Sequence, residues 1–169
     1  MIIRKIRQDD NPAVADIIRQ VMTEHGAVGE GYSIEDPEVD AMHQAYASRD
    51  AIFYVLEVDG TVVGCGGLGP LKGGEPGVCE LKKMYFLPQA RGQGAGKLLC
   101  EMLLVDAARL GYTKMYVETL ASMQPANRLY AKLGFEPLEG PLGKTGHGGC
   151  DAYYQRAIDP PDIDPSLLA

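Results

Sequence analysis

Hydrophobic and polar positions change period several times along the chain, and each change predicts an element. Residues 2–7 alternate as a short strand. Asn11-Pro12 reads as an N-cap followed by proline in the first helical turn. Val14, Ile17, Ile18 and Val21 then fall on one helical face, which predicts a helix to about Glu24. Gly26, Gly29 and Gly31 mark a loop, and Asp36-Pro37 opens a second helix predicted to end near Ala47. Residues 51–58 and 61–68 read as strands joined by Asp59-Gly60, a two-residue hairpin signal. After a turn at residues 73–77, a long strand is predicted over 78–86. A helix over 95–110 places Leu98, Leu99, Met102 and Val105 inward and stops at Gly111. A strand over 113–119 precedes a helix over 124–133, with Ala126, Leu129, Tyr130 and Leu133 at helical spacing. Residues 135–138 and 150–156 read as final strands.

The order β-α-α-β-β-β-α-β-α-β-β predicts a mixed α/β fold, with an antiparallel meander first and a crossover helix later. A chain of 169 residues suits one domain with a real core. That domain is expected over residues 1–158. Residues 159–169, carrying Pro160, Pro161 and Pro165, are expected to form an irregular tail.

Chemistry concentrates in Gln-Ala-Arg-Gly-Gln-Gly-Ala-Gly-Lys, residues 89–97. Glycines at 92, 94 and 96 close the long strand and open the following helix, so backbone N–H groups can turn toward a ligand. A helix start adds unpaired donors and a partial positive charge, which together suit phosphate. Arg91 and Lys97 flank the loop. A Walker A loop is excluded, because Arg91 stands where its first glycine belongs and Leu98 follows the lysine. A dinucleotide fingerprint from Gly92 fails at Lys97.

Charge adds a polarity to this picture. The formal net charge is −7, which argues against a nucleic-acid surface. Glu24 to Asp59 holds nine acidic residues and one basic residue, whereas Lys82 to Lys97 holds four basic residues and no acidic one. Either these are solvated faces or they mark an anion side and a cation side. The start lacks a secretory apolar region, and no apolar run reaches the length of a membrane span, so a cytoplasmic protein without membrane contact is expected.

Gln89, Gly92 and Gly94 fit Gln/Arg-x-x-Gly-x-Gly/Ala. The segment resembles the pyrophosphate loop of the GNAT superfamily of acyl-CoA-dependent N-acetyltransferases. Cys79 to Pro88 is similar to the fourth strand of that family, and Tyr130, Gly134 and Phe135 keep the spacing of its Tyr-x-x-x-Gly-Phe pattern. The resemblance covers residues 2 to 157 and implies a mostly antiparallel central sheet flanked by helices. It implies acetyl-CoA as cosubstrate, held by the backbone at Met84, Tyr85 and Phe86 and by Arg91, Gly92, Gln93, Gly94, Ala95, Gly96 and Lys97. Asn127 lies three residues before Tyr130 rather than at the family's spacing, and is carried over as a further cofactor contact.

Acetyl transfer to an amine needs a base for the amine proton, polarisation of the thioester carbonyl and a donor for the leaving thiolate. The resemblance assigns the base to Glu80 and the donor to Tyr130. A phenol titrates near 10 and a thiol near 8.5, so Tyr130 stays protonated beside a thiolate. Strand alternation would put Glu80, Lys82, Met84 and Phe86 on one face. The acceptor is expected to be a small cationic amine, with Glu30, Glu35 and Asp36 as candidates for steering its ammonium group. A homodimer fits the resemblance. A different acyl group, or a catalytically silent acyl-CoA-binding module, stays open.

Cys65, Cys79, Cys100 and Cys150 have no C-x-x-C spacing and read as free thiols. His147 and Cys150 stand three apart in a Gly-rich stretch. A metal site there would need further ligands, and none is expected. A Cys–His nucleophile pair, a loop touching the acceptor and a structural histidine all remain open readings.

Overall fold

Seven strands form one sheet in the order β1-β2-β3-β4-β5-β7-β6. The computed structural model describes residues 1–160, and the expected Pro-rich tail lies beyond Pro160 outside the described residues. The strands are β1 (Ile2–Lys5), β2 (Ile52–Val58), β3 (Thr61–Pro70), β4 (Val78–Phe86), β5 (Lys114–Thr119), β6 (Glu136–Leu138) and β7 (Ala152–Ala157). The helices are α1 (Asn11–Glu24), α2 (Met42–Ala45), α3 (Ala95–Arg109) and α4 (Gln124–Lys132). Every pairing is antiparallel except β4 with β5, which are parallel and joined through α3. The element order is the one the periodicity predicts. The Asp59-Gly60 hairpin turns as expected, with both residues at positive φ.

Two cores cover the two faces of the sheet. On one, α1 buries Val14, Ile17, Ile18 and Val21 against Phe53, Val55 and Cys65. On the other, Leu99, Cys100, Leu103 and Ala107 of α3 meet Leu68, Leu81, Met115 and Val117. Of the four α3 residues expected inward, Leu99 and Met102 pack on this core and Leu98 and Val105 do not. Leu98 and Val105 are 45% and 50% exposed, while Leu99 and Leu103 are sealed. The physical reason is close approach to the glycine-rich β3. A Cβ at Gly66 would stand 3.0 Å from Leu99 Cδ2, so the glycine makes room for that leucine.

Two local expectations also shift. Asn11 is the first residue of α1 rather than its cap. Its amide bridges to α2, accepting from the His43 N–H at 2.9 Å and donating to Gln44 at 2.8 Å. The second predicted helix begins as a 3-10 turn over Pro37–Ala41, and only Met42–Ala45 is α-helical.

Strand β4 carries the most consequential irregularity. Cys65 pairs with Tyr85 and Gly67 with Lys82, so Lys83 and Met84 together oppose one residue of β3. Lys83 adopts φ 54, a left-handed conformation uncommon for a non-glycine residue. This bulge inverts the alternation. Cys79 and Leu81 pack in the same core as Met84 and Phe86, so Glu80 and Lys82 do not share their face as strict alternation predicted. Among the described residues no helix is long and apolar enough to cross a membrane.

Candidate active site

The site forms where two parallel strands part. Strands β4 and β5 pair only from Val78, Cys79 and Glu80 to Lys114, Met115 and Tyr116. Beyond Glu80, β4 runs on to Phe86 bonded to β3, while β5 runs on to Thr119 bonded to β7. The separated edges leave the backbone of Met84, Tyr85 and Phe86 without a strand partner on the β5 side, in the stretch assigned to the cofactor arm. A cavity of about 60 Å³ opens in the gap, lined by Glu80, Met84, Glu118, Tyr130, His147 and Cys150 among others.

Glu80 and Tyr130, the two residues assigned to catalysis, both reach this cavity. The Glu80 side chain is 4% exposed, and its nearest cation is Lys82 Nζ at 3.7 Å. Burial pushes its carboxyl up to about 7, with the Glu118 charge adding to the rise and Lys82, His147 and Lys83 opposing it. A carboxyl titrating near neutrality suits a general base. Tyr130 is buried, with its ring 5.6 Å from that of Phe135 and 5.8 Å from that of Tyr154. Burial raises its phenol well above the ordinary value, so it remains a proton donor.

The glycine loop meets α3 in the way an anion site requires. Gly92 and Gly94 adopt φ 74 and φ 80, conformations that L side chains rarely take. The Leu98 N–H donates to the Gly94 carbonyl, which leaves the N–H groups of Ala95, Gly96 and Lys97 at the open start of the helix. Ala95 is buried, while Arg91, Gly92, Gln93 and Gly94 are exposed. The loop's cations are partly committed. Arg91 donates to the Phe86 carbonyl at 2.8 Å and to Glu24 at 2.9 Å, and Lys97 lies 3.7 Å from Glu101. Gln93 donates to the Gln89 carbonyl at 3.0 Å.

Other assigned residues are placed differently. The Asn127 amide donates to the Leu120 and Met123 carbonyls at 2.9 and 2.8 Å, and its oxygen accepts from Tyr154 at 2.7 Å. Its polar atoms are thus engaged in fastening the start of α4. Glu30 and Glu35 are exposed and do not line the cavity. Asp36 is half-buried and already binds Lys83 and His147.

A charge network behind Glu80 was not legible as a unit. His147 Nε2 lies 2.8 Å from Asp36 Oδ2, and Nδ1 lies 3.1 Å from Glu118 Oε1. Glu118 also accepts from Thr145 and, at 2.8 Å, from Tyr116. Burial would raise the Asp36 and Glu118 carboxyls, yet His147 with Lys83, and His147 with the two hydroxyls, hold them below the ordinary range. Burial would lower the imidazole, but the two carboxylates carry it up to about 9. The sequence signal for Glu118 is an acid in the otherwise apolar interior of a strand.

Ligand atoms of Glu80, Glu118 and His147 lie within 4.8 Å of one another, a spacing compatible with a cation. His147 Nδ1 faces Glu118 and Nε2 faces Asp36, however, so a metal there would have to replace the proton shared in one of these contacts. The same occupancy bears on the Cys–His pair. His147 has no free nitrogen to activate Cys150, whose thiol is pushed up to about 12, first by burial and then by Glu118 and Glu80.

A parallel strand pair splayed beside a buried carboxyl, with a glycine loop opening the next helix, is the arrangement expected of an acyl-CoA-dependent transferase. The sequence model of the acetyltransferase (GNAT) family matches residues 13–135, and the chain belongs to that family. An uncharacterised N-acetyltransferase YjgM of Escherichia coli is 42% identical over 93% of this chain and 95% of its own. The crystal structure of a GNAT-family acetyltransferase from Staphylococcus aureus superposes with a TM-score of 0.81 at 17% identity, covering 94% of this chain and 99% of that one. A phosphinothricin acetyltransferase from Sinorhizobium meliloti, solved in complex with acetyl-CoA, superposes with a TM-score of 0.75 at 21% identity over 95% and 90% of the two chains. The protein is an acyl-CoA-dependent acetyltransferase.

Proposed function

We propose that the protein acetylates a small primary amine by direct attack, with both substrates bound together. Acetyl-CoA supplies the activated acyl group. The open N–H groups of Ala95, Gly96 and Lys97, with the turn at Gly92 and Gly94, are the groups that would hold its pyrophosphate. The unpaired β4 edge at Met84 to Phe86 would hold the pantetheine arm and polarise the carbonyl.

Glu80 accepts the proton of the attacking amine, directly or through a water. Tyr130 donates to the departing thiolate. The observation that carries this reading is the convergence of a near-neutral Glu80 and a protonated Tyr130 on one cavity. The raised thiol of Cys150 favours direct transfer over an acyl-cysteine route, because a thiol titrating near 12 holds little thiolate at pH 7.

The exposed Glu30 and Glu35 would attract a cationic acceptor from solution, whereas Asp36 is committed within the protein. The test is steady-state CoA release across a panel of cationic, neutral and anionic amines at low and high salt. Intersecting double-reciprocal plots and a salt-sensitive KM for a cationic amine are expected. Parallel plots would replace direct attack by a covalent route, and a preference for anionic amines would remove the steering role.

A further inference from the structure

We propose that His147 is a positioning residue for the transfer. Its two ring nitrogens tie Asp36 to Glu118 in the wall of the acceptor cavity and screen the Glu80 carboxyl from the Glu118 charge. The inference rests on the reading of Glu80 as the base.

The geometry favours a doubly protonated ring. A neutral imidazole has one N–H and one lone pair. Here Nδ1 faces Glu118 Oε1 at 3.1 Å, while Nε2 faces Asp36 Oδ2 at 2.8 Å and Oδ1 at 3.0 Å. Whichever tautomer a neutral ring adopted, one lone pair would point at a carboxylate. The imidazolium donates to both, and it is held 11% exposed, where such bonds are strong.

The ring also joins three segments that are far apart in the chain. His147 stands in the loop between β6 and β7, Asp36 in the loop after α1, and Glu118 on β5. Beside it, the Gly149 N–H donates to the Gly31 carbonyl at 2.9 Å. The Tyr32 ring lies so close that a Cβ at Gly149 would stand 2.5 Å from it. The two loops interlock over the cavity, and His147 fastens the interlocked pair to β5.

The charged groups around the ring fix the sign of its effect on Glu80. Asp36 and Glu118 bind it, and Lys83 of β4 pairs with Asp36 and lies 3.9 Å from Glu38. Glu80 lies beside the ring and beside Glu118, with Lys82 on its other side. The imidazolium lowers the Glu80 titration and Glu118 raises it. Loss of the ring removes the first influence and exposes the second, and both changes move Glu80 upward. Loss of the Glu118 charge moves Glu80 downward.

The experiment compares kcat/KM against pH for wild type, His147→Gln and Glu118→Gln. The acidic limb should move up by about one pH unit in His147→Gln and down in Glu118→Gln. Acceptor KM should rise in His147→Gln while the calorimetric Kd for acetyl-CoA, which also reports folding, stays unchanged. In wild type at pH 7.5, the imidazole ¹⁵N shifts should show both nitrogens protonated. An unmoved limb in His147→Gln, or a neutral imidazole at pH 7.5, overturns the proposal. Glu80→Gln separates the two readings. If its acidic limb persists, the base assignment fails, and the screening role with it, whereas the imidazole shifts still decide whether the tie exists.

Discussion

The Lys83 ammonium donates to the Asp36 carboxylate with 1% of the lysine side chain and 19% of the aspartate side chain exposed. The ion pair sits at the bulge of β4, so the same residue that inverts the strand's alternation also anchors the loop after α1. Removing one partner of a buried pair leaves the other charge desolvated. Lys83→Met should therefore lower stability by about 3 kcal/mol or more, read as the midpoint of urea unfolding. A change within about 0.5 kcal/mol would mean that Asp36 is sufficiently held by His147 alone.

Glu80→Gln should abolish the acidic limb of the pH–rate profile. The base works only when ionised, and its carboxyl is raised from 4.5 to about 7. The wild-type rate should accordingly fall as pH drops through about 7, rather than through the ordinary carboxylate range. A limb that survives the substitution would assign the base to solvent or to another group.

Tyr130→Phe should lower kcat on the order of 10²-fold and leave the Kd for acetyl-CoA nearly unchanged. Phenylalanine keeps the ring contacts to Phe135 and Tyr154, so packing is preserved while the proton is lost. Turnover at the wild-type level would reduce Tyr130 to a core residue.

Gly94→Glu should weaken acetyl-CoA binding at least about tenfold, or about 1.4 kcal/mol, by calorimetry. The substitution brings a negative charge to the anion loop and a side chain to φ 80. Gly94→Asn separates the two effects, since asparagine tolerates the left-handed region without charge. It should retain most of the affinity. Equal affinity in wild type and a folded Gly94→Glu variant would move the pyrophosphate elsewhere.

The order of elements was legible because each is a local pattern. The apolar face of α1, the Asp59-Gly60 hairpin and the glycine loop before α3 all depend on residues within a few positions of one another. Glu80, Tyr130 and the glycine loop came from motifs that are likewise contiguous. Spacing shows where Asn127 stands but not that its amide is already bonded to Leu120, Met123 and Tyr154.

Tertiary structure decided what depends on residues far apart in the chain. Which of the apolar residues of α3 face the sheet was decided by packing, with Gly66 of β3 making room for Leu99 while Leu98 stays in solvent. The separation of Glu80 from the face of Met84 and Phe86 was decided by a bulge that periodicity does not reveal. His147 and Asp36 are 111 positions apart, and His147 and Glu118 are 29 apart, so no spacing rule joins them. Their titrations shift against the cost of burial only because folding sets the three groups beside one another. The sequence by itself determined the elements and the family; the assembled fold raised the Glu80 carboxyl by burying it, and raised the His147 imidazole by setting two carboxylates against it.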